Sequence, residues 1–158
     1  MKTVRFFLGL ITIGFVLNAC KTKCGDQHLT PAFVGFASAD LDTIILKKYA
    51  KGSNAQDLID TTVITNQTAV YFPSNDTTVI DMNVVSGENA YLNPNYDWQL
   101  YIPAQRLTVS ITDIVSPQRQ ENCYDCGCIN SITSFLQNGQ LITSPPYSFS
   151  SFLLFISK

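Results

Sequence analysis

Residues 96–112, YDWQLYIPAQRLTVSIT, are the stretch that decides the fold. Before Pro103, apolar side chains recur at every second position: Tyr96, Trp98, Leu100 and Ile102. After it, Leu107, Val109 and Ile111 alternate with Thr108, Ser110 and Thr112. A period of two is that of a strand with one buried face. The stretch therefore predicts two half-buried strands that are separated at the proline.

The same signals extend in both directions from this pair. Upstream, β-prone runs separated by turn residues occupy 31–36, 42–49, 58–65, 68–72 and 79–85. Downstream, 130–143 predicts a hairpin around Asn138-Gly139, and 147–156 is apolar enough to be buried on both faces. No stretch has a convincing amphipathic helical pattern. Roughly seven to nine short strands predict an all-β chain with a single antiparallel β-sandwich, Ig-like or similar, and a small β-barrel as the alternative.

The N-terminus has the parts of a secretory signal. Lys2 and Arg5 precede an uncharged, mostly apolar run of twelve residues, FFLGLITIGFVL, and Ala19 comes directly before Cys20. A transmembrane helix needs about 20 apolar residues. Because this run is shorter and Lys21 and Lys23 follow it closely, we expect a cleaved signal peptide, 1–19, rather than a membrane span.

Leu17, Ala19 and Cys20 match the lipobox, so the signal resembles that of bacterial lipoproteins. Asn18 departs from the small or hydroxylic residue that is more usual at its position. The resemblance implies that Cys20 becomes the N-terminus and carries a diacylglycerol thioether and an N-acyl group such as palmitate. Two or more acyl chains anchor a protein stably in a membrane. Lys21 is not the aspartate that marks retention in the inner membrane, so the resemblance implies an outer-membrane protein that faces the periplasm.

Composition limits what the mature chain does. Removal of 1–19 leaves 139 residues, which suits one domain, predicted as a polar tether at 20–29 and a β-sandwich at 30–158. The signal holds two of the ten basic residues and none of the twelve acidic ones, so the mature net charge is −4. No basic stripe is present, which argues against nucleic acid as a partner.

Four cysteines remain once Cys20 is assigned to lipid. They are Cys24, Cys123, Cys126 and Cys128. An even number in an exported chain predicts two disulfides, and every pairing joins Cys24 to the cluster across about 100 residues. A Cys126–Cys128 bridge would be strained, so Cys123 is expected to pair with Cys128 or Cys126. The preferred set is Cys24–Cys126 with Cys123–Cys128.

Other chemistry finds less support in the sequence. Four thiolates could bind zinc, but an oxidising compartment argues against a zinc site. Residues 123–126 form a C-x-x-C sequence, but the helix that follows a thioredoxin-type motif is not predicted there. His28 is expected to be solvated in the tether. Catalysis by paired carboxylates would have to use Asp81, Asp97 or Asp113, and no catalytic motif is present. We therefore expect no catalytic residue, no metal and no cofactor, and a protein that is not an enzyme.

Aromatic residues offer one alternative function. Tyr91 and Tyr101 are predicted to face water, where they could stack against sugars, whereas Tyr96 and Trp98 lie on the core side. The mature region resembles small uncharacterised lipoproteins of Bacteroidota-like bacteria at 33–36, 42–44 and 97–103. That resemblance implies a lipid-anchored β-sandwich and no activity. The expectation is a structural or protein-interaction role in the cell envelope, with another envelope protein as partner; the alternative is a glycan-binding module.

Overall fold

The computed structural model describes residues 21–65, 70–74, 76–81, 92–117, 120–122, 129–143 and 151–158. Within these ranges the chain forms fourteen strands and two short 3-10 helices, Ser38–Leu41 and Pro103–Gln105. The strands are β1 (Lys21–Lys23), β2 (Gly25–Asp26), β3 (His28–Val34), β4 (Thr43–Ala50), β5 (Leu58–Thr65), β6 (Val70–Ser74), β7 (Thr77–Asp81), β8 (Tyr96–Ile102), β9 (Leu107–Val115), β10 (Gln120–Asn122), β11 (Ile129–Asn130), β12 (Ser134–Gln137), β13 (Gln140–Thr143) and β14 (Ser151–Ser157). The chain divides into two compact units, Met1–Gly25 with Gln118–Asn130 and Asp26–Pro117 with Ser131–Lys158.

The smaller unit contains short strand pairs. β1 runs antiparallel to β10, with Lys21 opposite Asn122 and Lys23 opposite Gln120. β2 is paired with β11. Cys24 lies between β1 and β2 with its side chain 6% exposed, and its carbonyl accepts a hydrogen bond from Asn130 Nδ2 at 3.2 Å. The region predicted as a tether is thus largely strand.

The larger unit contains a six-stranded sheet in the order β13-β12-β9-β8-β4-β5. Every neighbouring pair in it is antiparallel. β13 and β5 each have a neighbour on one side only, so among the described residues the sheet has two edges and does not close into a barrel. The barrel alternative is therefore not the one this sequence adopts.

A four-stranded sheet, β14-β3-β7-β6, completes the larger unit. β3–β7 and β7–β6 are antiparallel, but β14 runs parallel to β3, with Ser151 opposite His28 and Ser157 opposite Val34. The predicted β-sandwich is confirmed, and its described strand pairs are antiparallel except for β14 with β3. Parallel neighbours need a long connection, and here the chain passes through nearly the whole domain between the two strands.

One apolar core lies between the two sheets. The six-stranded sheet contributes Ile44, Leu46, Trp98, Leu100, Ile102, Val109 and Ile111, and the four-stranded sheet contributes Leu29, Phe33, Ile80, Leu154 and Ile156. Each of these side chains is at most 1% exposed. The alternation that predicted β8 and β9 therefore places their apolar faces in the core, as expected for a β-sandwich.

Local signals predicted several elements well. β5 and β8 have the predicted bounds, and the hairpin of β12 and β13 turns at Asn138 and Gly139. Their φ angles of 50° and 79° fit the two-residue turn that requires positive φ at both positions.

Two predictions near the chain termini are wrong. The sandwich begins at His28 in β3, not at residue 30, and Leu29 is fully buried. The C-terminal run is buried on one face only, because Leu153 is 39% and Phe155 56% exposed.

Candidate functional site

Exposed apolar side chains concentrate on the edges of the two large sheets. In the part of the chain that the structure describes, eight large apolar side chains are exposed: Leu58, Ile59, Val63, Val115, Ile129, Leu141, Leu153 and Phe155. Six of these eight lie on the edge strands β5, β13 and β14. Edge strands also carry backbone groups without a neighbouring strand, and soluble proteins usually protect them with charge, proline or a covering segment.

The first of these surfaces is the β5 edge, defined by Leu58, Ile59 and Val63. Their side chains are 51–54% exposed. Asp57 precedes the strand and Asp60 lies within it, with its Oδ1 accepting a hydrogen bond from Thr61 N at 2.8 Å. The β5 edge is therefore apolar, with exposed Asp57 directly before it and Asp60 opposite Lys48 of β4.

The second surface is the outer patch, on the solvent side of the four-stranded sheet. It consists of Leu153 and Phe155 on β14, Ala32 and Val34 on β3, and Val79 on β7. Phe155 stands opposite Ala32, which stands opposite Val79, so the three residues form one row across three strands. Leu154 and Ile156, the neighbours of Phe155 in sequence, point into the core and are at most 1% exposed.

Most of the predicted site residues lie outside the described residues. This holds for the signal peptide 1–19, the lipidation site Cys20, the ligand candidate Tyr91 and three of the disulfide candidates, Cys123, Cys126 and Cys128. Cys24 is described, and it is buried between β1 and β2. Its pairing with the cluster remains a prediction.

Tyr101 lies where the alternation of β8 places it, on the side of the strand away from the core. Its register partners are Ile45 on β4 and Thr108 on β9. Ile45 stands in turn opposite Val63 of the β5 edge. Tyr101 is half-buried, so the part of its ring that reaches solvent is a limited stacking surface.

The three aspartates considered for catalysis belong to different strands. Asp113 is exposed on β9, and Asp81 ends β7. Asp97 is 1% exposed on β8, and its Oδ2 accepts a hydrogen bond from Gly52 N at 2.8 Å, while Oδ1 has no hydrogen-bond partner among the described residues. The carboxylate therefore holds the turn after β4 against β8, which is the backbone-binding role that aspartate often has at turns.

Two lysines that the sequence did not single out hold the end of the six-stranded sheet. Lys51 Nζ donates to Pro94 O at 2.7 Å and to Ile114 O at 2.8 Å. Lys48 is 8% exposed, and its Nζ lies 5.0 Å from the centre of the Tyr96 ring, a cation–π distance. No local pattern distinguishes these lysines from solvated ones, because their partners come from other strands.

The C-terminus is fastened by a polar cluster around Asp40. Asp40 Oδ2 accepts from Lys158 Nζ at 2.9 Å and from Ala37 N at 3.0 Å, and Oδ1 accepts from Gln105 Nε2 at 2.5 Å. The Lys158 hydrogen bond and then the Ala37 amide lower the pKa of the Asp40 carboxyl. Lys158 N also donates to Val34 O at 3.2 Å, so the residue after β14 is held by both its backbone and its side chain.

His28 differs from its prediction. It is half-buried in β3, opposite Ser151, rather than solvated in a tether. No group of three or more His, Cys, Asp or Glu side chains that could hold a metal ion occurs among the described residues. The same residues contain no helix that is both long and apolar enough to span a bilayer.

Comparison with protein-family models, with curated proteins and with solved structures finds no match to this chain. The site must therefore be interpreted from its own chemistry.

Proposed function

We propose that this protein is a lipid-anchored component of a bacterial cell envelope whose role is to bind another envelope protein. The anchor is supported by the sequence of 1–20, in which a charged start and a twelve-residue apolar run end at Leu17-Asn18-Ala19-Cys20. The proposed location is the periplasmic side of the outer membrane, with residues 1–19 removed and Cys20 acylated.

The interaction role is carried by the concentration of exposed apolar side chains on edge strands. Leu58 and Val63 are more than half exposed on a strand that has one open side. An extended segment of a partner can add to such an edge by backbone hydrogen bonds, with apolar side chains giving specificity. Asp57, exposed directly before the strand, favours a partner segment with a basic residue among apolar ones.

The anchor is tested on protein purified from membranes. Intact mass should match residues 20–158 plus acyl groups, and a Cys20→Ala variant should leave the membrane fraction. Retention of 1–19, or an unchanged distribution of Cys20→Ala, would contradict the anchor.

The interaction is tested by cross-linking in cells. Val63→Lys places a charge on the β5 edge. Thr108→Lys places one at an exposed position of β9, a strand with neighbours on both sides. Cross-links to other envelope proteins should fall about tenfold in the first variant, since a buried unpaired charge is costly, and persist in the second. Equal cross-linking in the two variants would refute the proposed use of this edge.

Two disulfides are part of the proposal. Their support is the even number of cysteines that remain once Cys20 is assigned to lipid, together with the burial of Cys24. Peptide mapping without reduction should find Cys24 joined to Cys123, Cys126 or Cys128, and we expect Cys126. Free thiols at all four cysteines would refute this part.

Glycan binding is the second candidate, and Tyr101 is the observation that favours it. Tyr101 stands opposite Ile45 of β4 on the outer side of the six-stranded sheet. A glycan array should then give signals that Tyr101→Ala removes and that Thr143→Ala, at an exposed position of β13 three strands away, keeps. Binding that survives Tyr101→Ala would exclude this surface.

A further inference from the structure

The turn between β12 and β13 is the only place in the sequence where an asparagine directly precedes a glycine, at Asn138-Gly139. An asparagine followed by glycine is prone to deamidation, because glycine has no Cβ to shield its backbone nitrogen from the asparagine side chain. Both residues are exposed here, so water has access to the turn. The turn that sets the hairpin is therefore also a position of known chemical reactivity.

The reaction is a ring closure followed by hydrolysis. Gly139 N loses its proton and forms a bond to Asn138 Cγ, the Cγ–Nδ2 bond breaks, and Nδ2 leaves as ammonia. Water then opens the succinimide ring at one of its two carbonyl carbons. Opening at Cγ leaves an aspartate, and opening at the backbone carbonyl carbon leaves an isoaspartate, whose main chain runs through the former side chain.

The geometry of the turn opposes the ring closure. The φ angles of 50° and 79° fit a type I′ turn, in which ψ of the first central residue is about 30°. At this ψ the nitrogen of Gly139 lies nearly anti to Cβ of Asn138 about the Cα–C bond, whereas the succinimide ring needs the two nearly eclipsed. Ring closure therefore requires a rotation of more than a right angle, which the closed turn does not permit.

Two hydrogen bonds to Ser110 hold Asn138 in this geometry. Asn138 N donates to Ser110 O at 2.9 Å, and Ser110 N donates to Asn138 Oδ1 at 2.8 Å. The second bond fixes the side-chain carbonyl that the glycine nitrogen would attack. Ser110 belongs to β9, which has β8 and β12 as neighbours. The turn must therefore separate from an interior strand before the ring can close.

We infer that Asn138 is a deamidation site that the folded hairpin keeps closed and that reacts when the hairpin opens. Among the described strands β13 pairs with β12 alone, so the hairpin lies at an edge of its sheet and can open without unfolding the other strands. Isoaspartate lengthens the main chain and no longer fits the two-residue turn, so a hairpin that has reacted in this way does not close again. The inference does not depend on the lipid anchor or on the β5 edge.

The test compares the deamidation rate of Asn138 with and without the fold. The full chain and a synthetic peptide of residues 134–143 are incubated in the same mildly alkaline buffer, and mass spectrometry follows the site. Asn138 in the folded protein should react at least about tenfold more slowly than in the peptide, since only the open fraction reacts. In urea above the unfolding transition, the protein should react at the rate of the peptide in the same urea.

Ala55→Gly supplies a matched control site in the same molecule. It creates an Asn-Gly sequence at 54–55, where the φ angles of 53° and 59° suit glycine. Asn54 is exposed in the turn between β4 and β5, and its side chain has no hydrogen bond to the described residues. In this variant Asn54 should deamidate several-fold faster than Asn138 in the same sample, and thermal unfolding confirms that the variant is folded.

Two results would overturn the inference. Reaction of Asn138 in the folded protein at the rate of the peptide would show that the hairpin does not restrain it. Reaction of Asn54 as slowly as Asn138 in folded Ala55→Gly would show that the bonds to Ser110 are not the cause of the restraint. Neither result bears on the cross-linking of Val63→Lys, so this inference and the proposed function can fail separately.

Discussion

β8 and β14 are both seven-residue strands of the larger unit, yet the fold uses them differently. β8 has antiparallel neighbours on both sides, β4 and β9. Among the described strands β14 has a single neighbour, β3, which lies more than a hundred residues earlier and runs parallel to it. β8 is thus an interior strand whose pattern is visible in its own sequence, whereas β14 is an edge strand that pairs with a segment far away in the chain.

The sequences of the two strands explain why one was predicted better than the other. YDWQLYI alternates, so its buried and outer faces can be assigned without a structure. SFLLFIS is apolar at five consecutive positions, so the sequence gives no sign of which face is exposed. A continuous apolar run shows that both faces of a strand could be buried. The position of the strand in the sheet decides which of its side chains are buried.

Removing a buried leucine from each strand should give the largest effect. Leu100 in β8 and Leu154 in β14 are 1% and 0% exposed. Leu100→Ala and Leu154→Ala should each lower the free energy of unfolding by about 2–5 kcal/mol, with the smaller loss for Leu154 because an edge strand can relax into the cavity. Urea unfolding measures both, and an equal or larger loss for Leu154→Ala would contradict the comparison.

The hairpin of β12 and β13 sharpens the comparison, because it is the most locally encoded pair. Gly139 has φ of 79°, where a side chain is strained. Gly139→Ala should lower the free energy of unfolding by about 1–2 kcal/mol. Gly25→Ala, at a glycine in β2 with open space around it, should change it by less than about 0.5 kcal/mol. Similar losses in thermal or urea unfolding would show that the turn conformation is not the cause.

The attachment of β14 through Asp40 and Lys158 should give the smallest effect. The pKa of the Asp40 carboxyl is lowered below 3.8, its ordinary value, mainly by Lys158. The stabilisation is thus complete above pH 3.8 and is lost as the pH falls through the lower, folded-state value. It is small because the Lys158 side chain is 48% exposed and solvent screens the pair.

Unfolding midpoints in urea across pH 2 to 7 measure this contribution. Asp40→Asn should flatten the acid part of the profile, and Lys158→Gln should flatten most of it, since Lys158 contributes the largest part of the pKa lowering. Unchanged profiles in both variants would show that the pair does not fasten the C-terminus.

Much of the sandwich could be predicted because its signals are local. Alternation located β8 and β9, and Asn138-Gly139 located the hairpin turn. The candidate surfaces could not be predicted in this way. Phe155 and Val63 are apolar residues in β-prone runs, like the core residues beside them, and they are exposed because they point away from the core on strands at the edges of their sheets. Lys51 and Asp97 likewise have partners on other segments that no spacing reveals.

The sequence by itself determined the class of fold, the faces of the alternating strands and the turn at residues 138–139, because side-chain period and turn chemistry act over a few neighbouring residues. The tertiary structure decided the parallel pairing of β14 with β3, the start of the sandwich at His28 and the exposure of Leu153 and Phe155. These features depend on which strands become neighbours, and contacts between residues far apart in the chain set that order.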